Sequence, residues 1–229
     1  MSDLERWQRW HDDLWTYSID FTMMRAHIGR RMTAVRGADG WTLVGPVPLS
    51  DGAGRELTTE APVRRLVVQT AFHNTFVPEA HRDWPDAEIY LTEGAKKEGL
   101  AREQIRPLSG WPAEHGELEP IPLEGMPRVN EVALYHRDSR SLILADWMMH
   151  FPEGGSTFGT NLFLKLFRWV PGTRVSPLYR MMIKDKPAFR GAAEKISALE
   201  VERVLPGHGE PLTGGIGEAL ASLEQQSVG

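Results

Sequence analysis

The stretch Arg203-Val204-Leu205-Pro206-Gly207-His208-Gly209 decides the fold. A short apolar run ends in a Pro-Gly turn and delivers a histidine between two glycines. Glycine on each side lets the backbone turn hard and keeps bulk away from the imidazole. Two other segments repeat the plan. Arg65-Leu66-Val67-Val68-Gln69-Thr70 leads to His73, and Ser141-Leu142-Ile143-Leu144-Ala145 leads to Asp146. Short apolar runs of this kind predict buried strands. In layered α/β proteins the strand ends are where sites are assembled, because the sheet fixes geometry and the loops supply chemistry. Two imidazoles and one carboxylate delivered this way suit zinc, or iron and manganese.

Outward from these segments, the first third of the chain predicts a β-meander. Residues 15–19 and 31–35 are rich in β-branched and aromatic side chains. Gly37-Ala38-Asp39-Gly40 supplies a turn, residues 41–44 a partner strand, and Pro46 and Pro48 its end. After Leu49 helices mix with strands. Residues 77–82 predict a helix and 88–91 a strand, with Thr92 capping a short helix that carries Lys96 and Lys97. Residues 131–135 and 141–145 predict a hairpin joined by Arg137-Asp138-Ser139-Arg140. Further helices are expected at 157–170, 188–199 and 216–225, with Phe189, Ala192, Ile196 and Leu199 at helical spacing. The class is therefore α/β (α+β) with a sizeable sheet. No linker interrupts it, so one domain over residues 1–229 is expected.

Composition narrows the function. The chain has 229 residues, 41% hydrophobic and 25% charged, in line with a soluble globular protein that buries its own core. It has no cysteine, which excludes disulfides, thiolate nucleophiles and zinc-thiolate sites. Any metal must be held by His, Asp, Glu or backbone. The net charge of −5, with only the short basic pairs Arg30-Arg31 and Lys96-Lys97, argues against a nucleic-acid partner. No apolar run is long enough to span a membrane. Absence of cysteine fits cytoplasm and periplasm alike; the polar, charged opening from Met1 to His11 carries no export signal, and a cytoplasmic protein is expected. Gly154-Gly155-Ser156-Thr157-Phe158-Gly159 misses the Gly-x-Ser-x-Gly elbow by one residue, and no P-loop or dinucleotide fingerprint occurs.

The order and spacing of these segments resemble the metallo-β-lactamase fold superfamily from about residue 31 to 212. The resemblance implies an αββα sandwich. In that superfamily His-x-His-x-Asp-His follows a strand. Here Thr70 is followed by Ala71-Phe72-His73-Asn74-Thr75-Phe76, so only the second histidine matches, as His73. The Gly-Asp after the hairpin strand resembles Ala145-Asp146, and the terminal Gly-His-Gly resembles Gly207-His208-Gly209. The middle histidine has no counterpart in Gly125-Met126-Pro127-Arg128-Val129-Asn130-Glu131. With Arg31-Met32-Thr33 and Pro46-Val47-Pro48-Leu49, the layout also looks like a divergent branch of the superfamily, a domain of unknown function.

Ala71 and Phe76 cannot ligate a metal and Thr75 ligates poorly, so the dinuclear hydrolase site is not supported. His73, Asp146 and His208 equal the protein-ligand count of a mononuclear catalytic zinc site with an open position. The resemblance thus implies a metal-dependent hydrolase with a reduced site, acting on an ester, lactone, amide or phosphoester by metal-bound hydroxide. Asp146 is the catalytic base if the metal is absent. Two alternatives stay open: a non-catalytic binding protein on the same fold, and a mononuclear iron oxidative enzyme, since two histidines and a carboxylate also describe the facial triad. Zinc is the expected cofactor, with iron or no metal as alternatives.

His150 is a candidate fourth ligand if the chain turns after Asp146. His81 is a weaker ligand candidate that reads as a helix-surface residue, and Glu131 could substitute for the lost histidine but reads as an edge-strand surface residue. His11, His27, His115 and His136 carry no pattern. The helix at 157–170 is apolar almost all round, with only Lys165 and Arg168 charged. It predicts a homodimer contact or a hydrophobic wall over the pocket, extended by Leu178, Tyr179, Met181 and Met182. A small-molecule substrate with an apolar portion follows, with no nucleic acid or membrane partner.

Overall fold

The computed structural model describes residues 4–23, 26–113, 115–151 and 172–229. In chain order these form β1 (Trp7–His11), β2 (Leu14–Ile19), the small hairpin β3 (Thr22–Met23) and β4 (Ala26–His27), β5 (Arg30–Gly37) and β6 (Gly40–Val44). Then come α1 (Asp51–Glu60), β7 (Val63–Val68), α2 (Val77–Asp83), β8 (Glu88–Leu91), β9 (Ile105–Pro107), β10 (Leu118–Pro122), β11 (Val132–His136) and β12 (Ser141–Phe151). The chain closes with β13 (Gly172–Arg174), α3 (Pro177–Met182), α4 (Lys186–Ser197), β14 (Arg203–Gly209) and α5 (Ile216–Val228).

One sheet runs β1-β2-β5-β6-β7-β8-β9; the other runs β10-β11-β12-β13, with β14 paired to β12. The meander from β1 to β6 is antiparallel, and β6 to β9 are parallel. Strand alternation assigns the layers. Met32 and Ala34 of β5, Trp41 and Leu43 of β6, and Leu66 and Val68 of β7 pack with Leu57 of α1 and Val77 and Ala80 of α2. The intervening Val35, Val44 and Val67 face Leu134, Ile143 and Leu205 of the other sheet. On its outer face that sheet packs Ala133, Tyr135, Leu142, Leu144 and Val204 against Tyr179, Phe189, Ile196, Leu220 and Leu223 of α3 to α5. The architecture is an αββα sandwich, as expected.

Local chemistry explains the helix starts. Ser50 accepts from Ala53 N and caps α1, a helix absent from the sequence reading. Ser176 and Asp185 cap α3 and α4, each followed by proline in the first turn. The expected helix after Thr92 is not formed. The Thr92 hydroxyl donates to the Asn130 carbonyl at 2.5 Å, and the chain passes on through a turn at Glu93-Gly94. The edge strand β10 carries Pro120 and Pro122, which remove donors from an edge that would invite another strand. The helix expected at 157–170 lies outside the described residues. Among the described residues no helix is long and apolar enough to cross a membrane.

Candidate metal centre

Each of the three strand-borne residues reaches the centre in a different way. His73 sits in the turn after β7, where Ala71 N donates to Val129 O at 2.9 Å and His73 N to Thr70 O at 3.2 Å. Its ring points inward and is 5% exposed. Asp146 and His208 do not lie beyond their strands. β12 continues to Phe151, and β14 includes His208. The parallel pairing of the two strands slips instead: Leu144 faces Pro206, and the next pair is Met149 with His208. Residues 145–148 therefore bulge opposite the single residue Gly207, and the bulge pushes Asp146 toward His73 and His208.

Glycines permit this close approach. A Cβ on Gly207 would lie 2.8 Å from the Ala145 carbonyl oxygen and 2.9 Å from His73 Cε1. Gly209 has φ +79°, and a Cβ there would meet the His150 carbonyl oxygen at 2.2 Å. Arg31 ties the same turn to the first sheet, donating from Nη1 to Pro206 O at 2.7 Å and from Nη2 to Gly209 O at 2.8 Å.

The three ligating atoms form a small triangle. His73 Nε2 is 2.9 Å from Asp146 Oδ1, His208 Nε2 is 3.6 Å from the same oxygen, and the two Nε2 atoms are 3.2 Å apart. His208 Nδ1 lies 2.6 Å from the Gly29 carbonyl, which can only accept. That contact places the proton on Nδ1 and turns the Nε2 lone pair inward.

Electrostatics follow from burial. His208 is pushed down to about 3, first by burial and then by the neighbouring His73. Burial and then the charge of Arg30 lower His73, against the pull of Asp146. Burial alone would raise the Asp146 carboxyl, but His73, His208 and Arg30 together hold it well below the usual carboxylate range. At neutral pH the centre therefore presents two neutral imidazoles and one carboxylate, the protonation states a metal needs.

Three residues around the triangle escaped the sequence reading. Glu131 is not on the surface: it is 1% exposed. Its carboxylate accepts from Ala145 N at 2.9 Å, from Asp146 N at 3.2 Å and from Trp147 N at 3.4 Å, so it caps the bulge that carries Asp146. Burial and then the charge of Asp146 push it up to about 7, against those three amides. Arg30 is 3% exposed, and its Nε and Nη2 have no hydrogen-bond partner among the described residues. Tyr179, on α3, is buried near Glu131 with no well-formed hydrogen bond to its hydroxyl among the described residues; burial and then the charge of Glu131 raise that hydroxyl well above its usual value. The one available signal was strand phase. Glu131 is in step with Ala133 and Tyr135, which face α3 to α5, and Arg30 with Met32 and Ala34.

His150 stays outside the group of three. The chain does not turn after Asp146, and His150 continues β12, with its Nδ1 3.1 Å from Thr173 Oγ1. His81 is half-buried on α2, and its Nδ1 has no hydrogen-bond partner among the described residues. His136 is buried in a turn network, its Nδ1 2.7 Å from Ser139 Oγ. Thr75 is exposed, and Phe76 packs edge-on to Phe21, whose ring centre lies 6.1 Å from that of His208.

No family model matches the chain, and no curated protein matches it in sequence. Solved structures do. A metallo-β-lactamase from Pontibacter korlensis superposes with TM-score 0.65 at 12% identity, covering 96% of this chain and 98% of its own. The metallo-β-lactamase FIM-1 from Pseudomonas aeruginosa, in its mono-zinc form, gives 0.59 at 15% identity, covering 97% and 96%. An Erythrobacter litoralis metallo-β-lactamase gives 0.57 at 12%, covering 96% and 91%. The chain has the metallo-β-lactamase fold, along essentially its whole length.

Proposed function

We propose that the protein is a metal-dependent hydrolase with a mononuclear site held by His73, Asp146 and His208. The supporting observation is the triangle itself. Two ligands at about 2.0–2.1 Å on a tetrahedral ion stand about 3.3–3.4 Å apart. The three ligand-to-ligand distances of 2.9, 3.2 and 3.6 Å bracket that value. The donor set and its protonation suit zinc, and the same set serves iron. A bound ion would lower the pKa of a water and polarise a carbonyl or phosphoryl oxygen. The protein's own part is to orient. Gly29 fixes the His208 tautomer, Glu131 fixes the Asp146 backbone, and Gly207 lets His73 approach.

Asp146 serves here as a ligand rather than as a general base, because a base works best with a pKa near the working pH and Asp146 lies far below it. Substrates of the ester, lactone, amide or phosphoester type fit this chemistry. Phe72, beside His73, and Leu178 and Met181 on α3 are 49%, 60% and 71% exposed. They support a substrate with an apolar portion.

Metal analysis with a hydrolysis panel tests the proposal. About one equivalent of zinc, abolished together with hydrolysis in His208→Ala, is the expected result. Colour and oxygen consumption would mark iron chemistry instead. A protein that takes up no metal on reconstitution would overturn the reading.

A further inference from the structure

Arg30 and Arg31 are adjacent on β5, both are buried, and alternation sends them to opposite faces of the sheet. They are used differently. Arg31 is committed to two carbonyls of β14. Arg30 leaves Nε and Nη2 without hydrogen-bond partners among the described residues, although it is only 3% exposed. A buried cation whose donors are unmet is costly; the charge of Asp146 offsets part of that cost but leaves Nε and Nη2 without partners among the described residues.

Its place in the molecule gives it a use. Arg30 follows Gly29, whose carbonyl contacts His208 Nδ1 at 2.6 Å. Its charge acts on Asp146, His73 and His208 together. A divalent ion on two neutral imidazoles and one carboxylate leaves an excess of positive charge, and Arg30 adds to it. The group that satisfies both is an anion with two or more oxygens, which the planar guanidinium fork engages in pairs.

We propose that the Arg30 guanidinium is the binding site for an oxyanionic group, phosphate-type or carboxylate, beside the His73–Asp146–His208 centre. The proposal deepens the hydrolase reading and rests on that centre being where the substrate reacts. It confines substrates to those carrying such a group at or next to the bond that is cleaved.

The test is calorimetric titration with inorganic phosphate and, separately, with acetate. Wild type, Arg30→Met, Arg30→Lys and Arg31→Met are compared, each zinc-loaded and chelator-treated, with zinc content and melting temperature measured in parallel. Arg30→Met is expected to weaken the preferred anion at least tenfold, with zinc content unchanged and melting temperature equal or higher. Arg30→Lys should fall between, having the charge without the fork. Arg31→Met should lower the melting temperature. The better anion identifies the source, tetrahedral or planar. Anion binding that depends on Arg30 in a protein that takes up no zinc would support this proposal while the metal reading fails. Equal anion affinity in wild type and Arg30→Met, no anion binding in either metal state, or unfolding of Arg30→Met would overturn it.

Discussion

Replacing Glu131 by glutamine keeps an acceptor oxygen beneath the Asp146 bulge and removes the charge. The consequence is a pH-dependent difference in stability whose size the buried site dictates. In the folded protein the Glu131 carboxyl is raised from 4.5 to about 7, burial being the main cause and Asp146 the second. Between those values the folded protein holds a proton that the unfolded chain has released. Stability therefore falls as pH rises through that window, by about 3 kcal/mol in all. Glutamine has no proton to hold and loses nothing. The other titrating groups of the centre are shared by both proteins and cancel in the difference. Urea unfolding of chelator-treated wild type and Glu131→Gln, at intervals from about pH 5 to pH 8, reads the effect directly. The variant should gain on the wild type by about 2–3 kcal/mol across that range. Glu131→Ala separates charge from hydrogen bonding. It strands the amides of Ala145, Asp146 and Trp147. At about 1–3 kcal/mol per stranded donor, with sharing, it should cost about 3–5 kcal/mol. A gap between wild type and Glu131→Gln that stays constant with pH would refute the reasoning, because it would mean that Glu131 is not forced to ionise inside the fold.

His208 makes a contribution of opposite sign. Its folded value of about 3 lies below the ordinary 6.5, so the unfolded chain takes up a proton that the folded one refuses. Stability is full above about pH 6.5 and declines as pH falls toward 3, by up to about 5 kcal/mol, and His208→Gln should flatten that acid limb in circular-dichroism melts. Gly207→Ala drives a methyl into the Ala145 carbonyl and the His73 ring, so it should cost about 1–3 kcal/mol and weaken zinc binding about 10–100-fold, measured by competition with a chromophoric chelator. Glu131→Ala should weaken zinc binding by a similar factor, through loss of the Asp146 bulge rather than of a ligand.

Much of the fold was legible because burial on both faces of a strand leaves nearly continuous apolar runs. Residues 65–68 and 141–145 mark central strands, and 203–205 the buried strand that pairs with the second of them. The three ligand candidates were legible for the same reason, since a histidine or aspartate within a few residues of the end of such a run stands out. The mechanism of their convergence was not. Asp146 projects because β12 slips against β14, and that slip is set by partners far apart in sequence. No local signal announces it, so the sequence reads a turn and places His150 beside Asp146. Glu131 and Arg30 were missed for a related reason. A charged residue at or just before the start of a strand reads as solvated unless both faces of the sheet are known to be covered, and the covering helices are built from distant segments.

Chemistry in this molecule sits where polar residues fall in phase with a buried strand face. A polar residue in phase with the buried face of a strand either completes a backbone that cannot satisfy itself or awaits something the chain does not supply. Glu131 belongs to the first kind, because three amides of an irregular strand converge on it. Arg31 belongs there too, since it spans from one sheet to carbonyls of the other. Arg30 belongs to the second kind. It is buried as deeply as its neighbour yet leaves two of its nitrogens unmet among the described residues, one residue from the carbonyl that orients His208. A reduced ligand set and a guanidinium with unmet donors at one point of the fold are then parts of one arrangement. Fewer carboxylates and imidazoles leave more uncompensated positive charge when an ion is held, and the extra guanidinium directs that excess toward an anionic substrate.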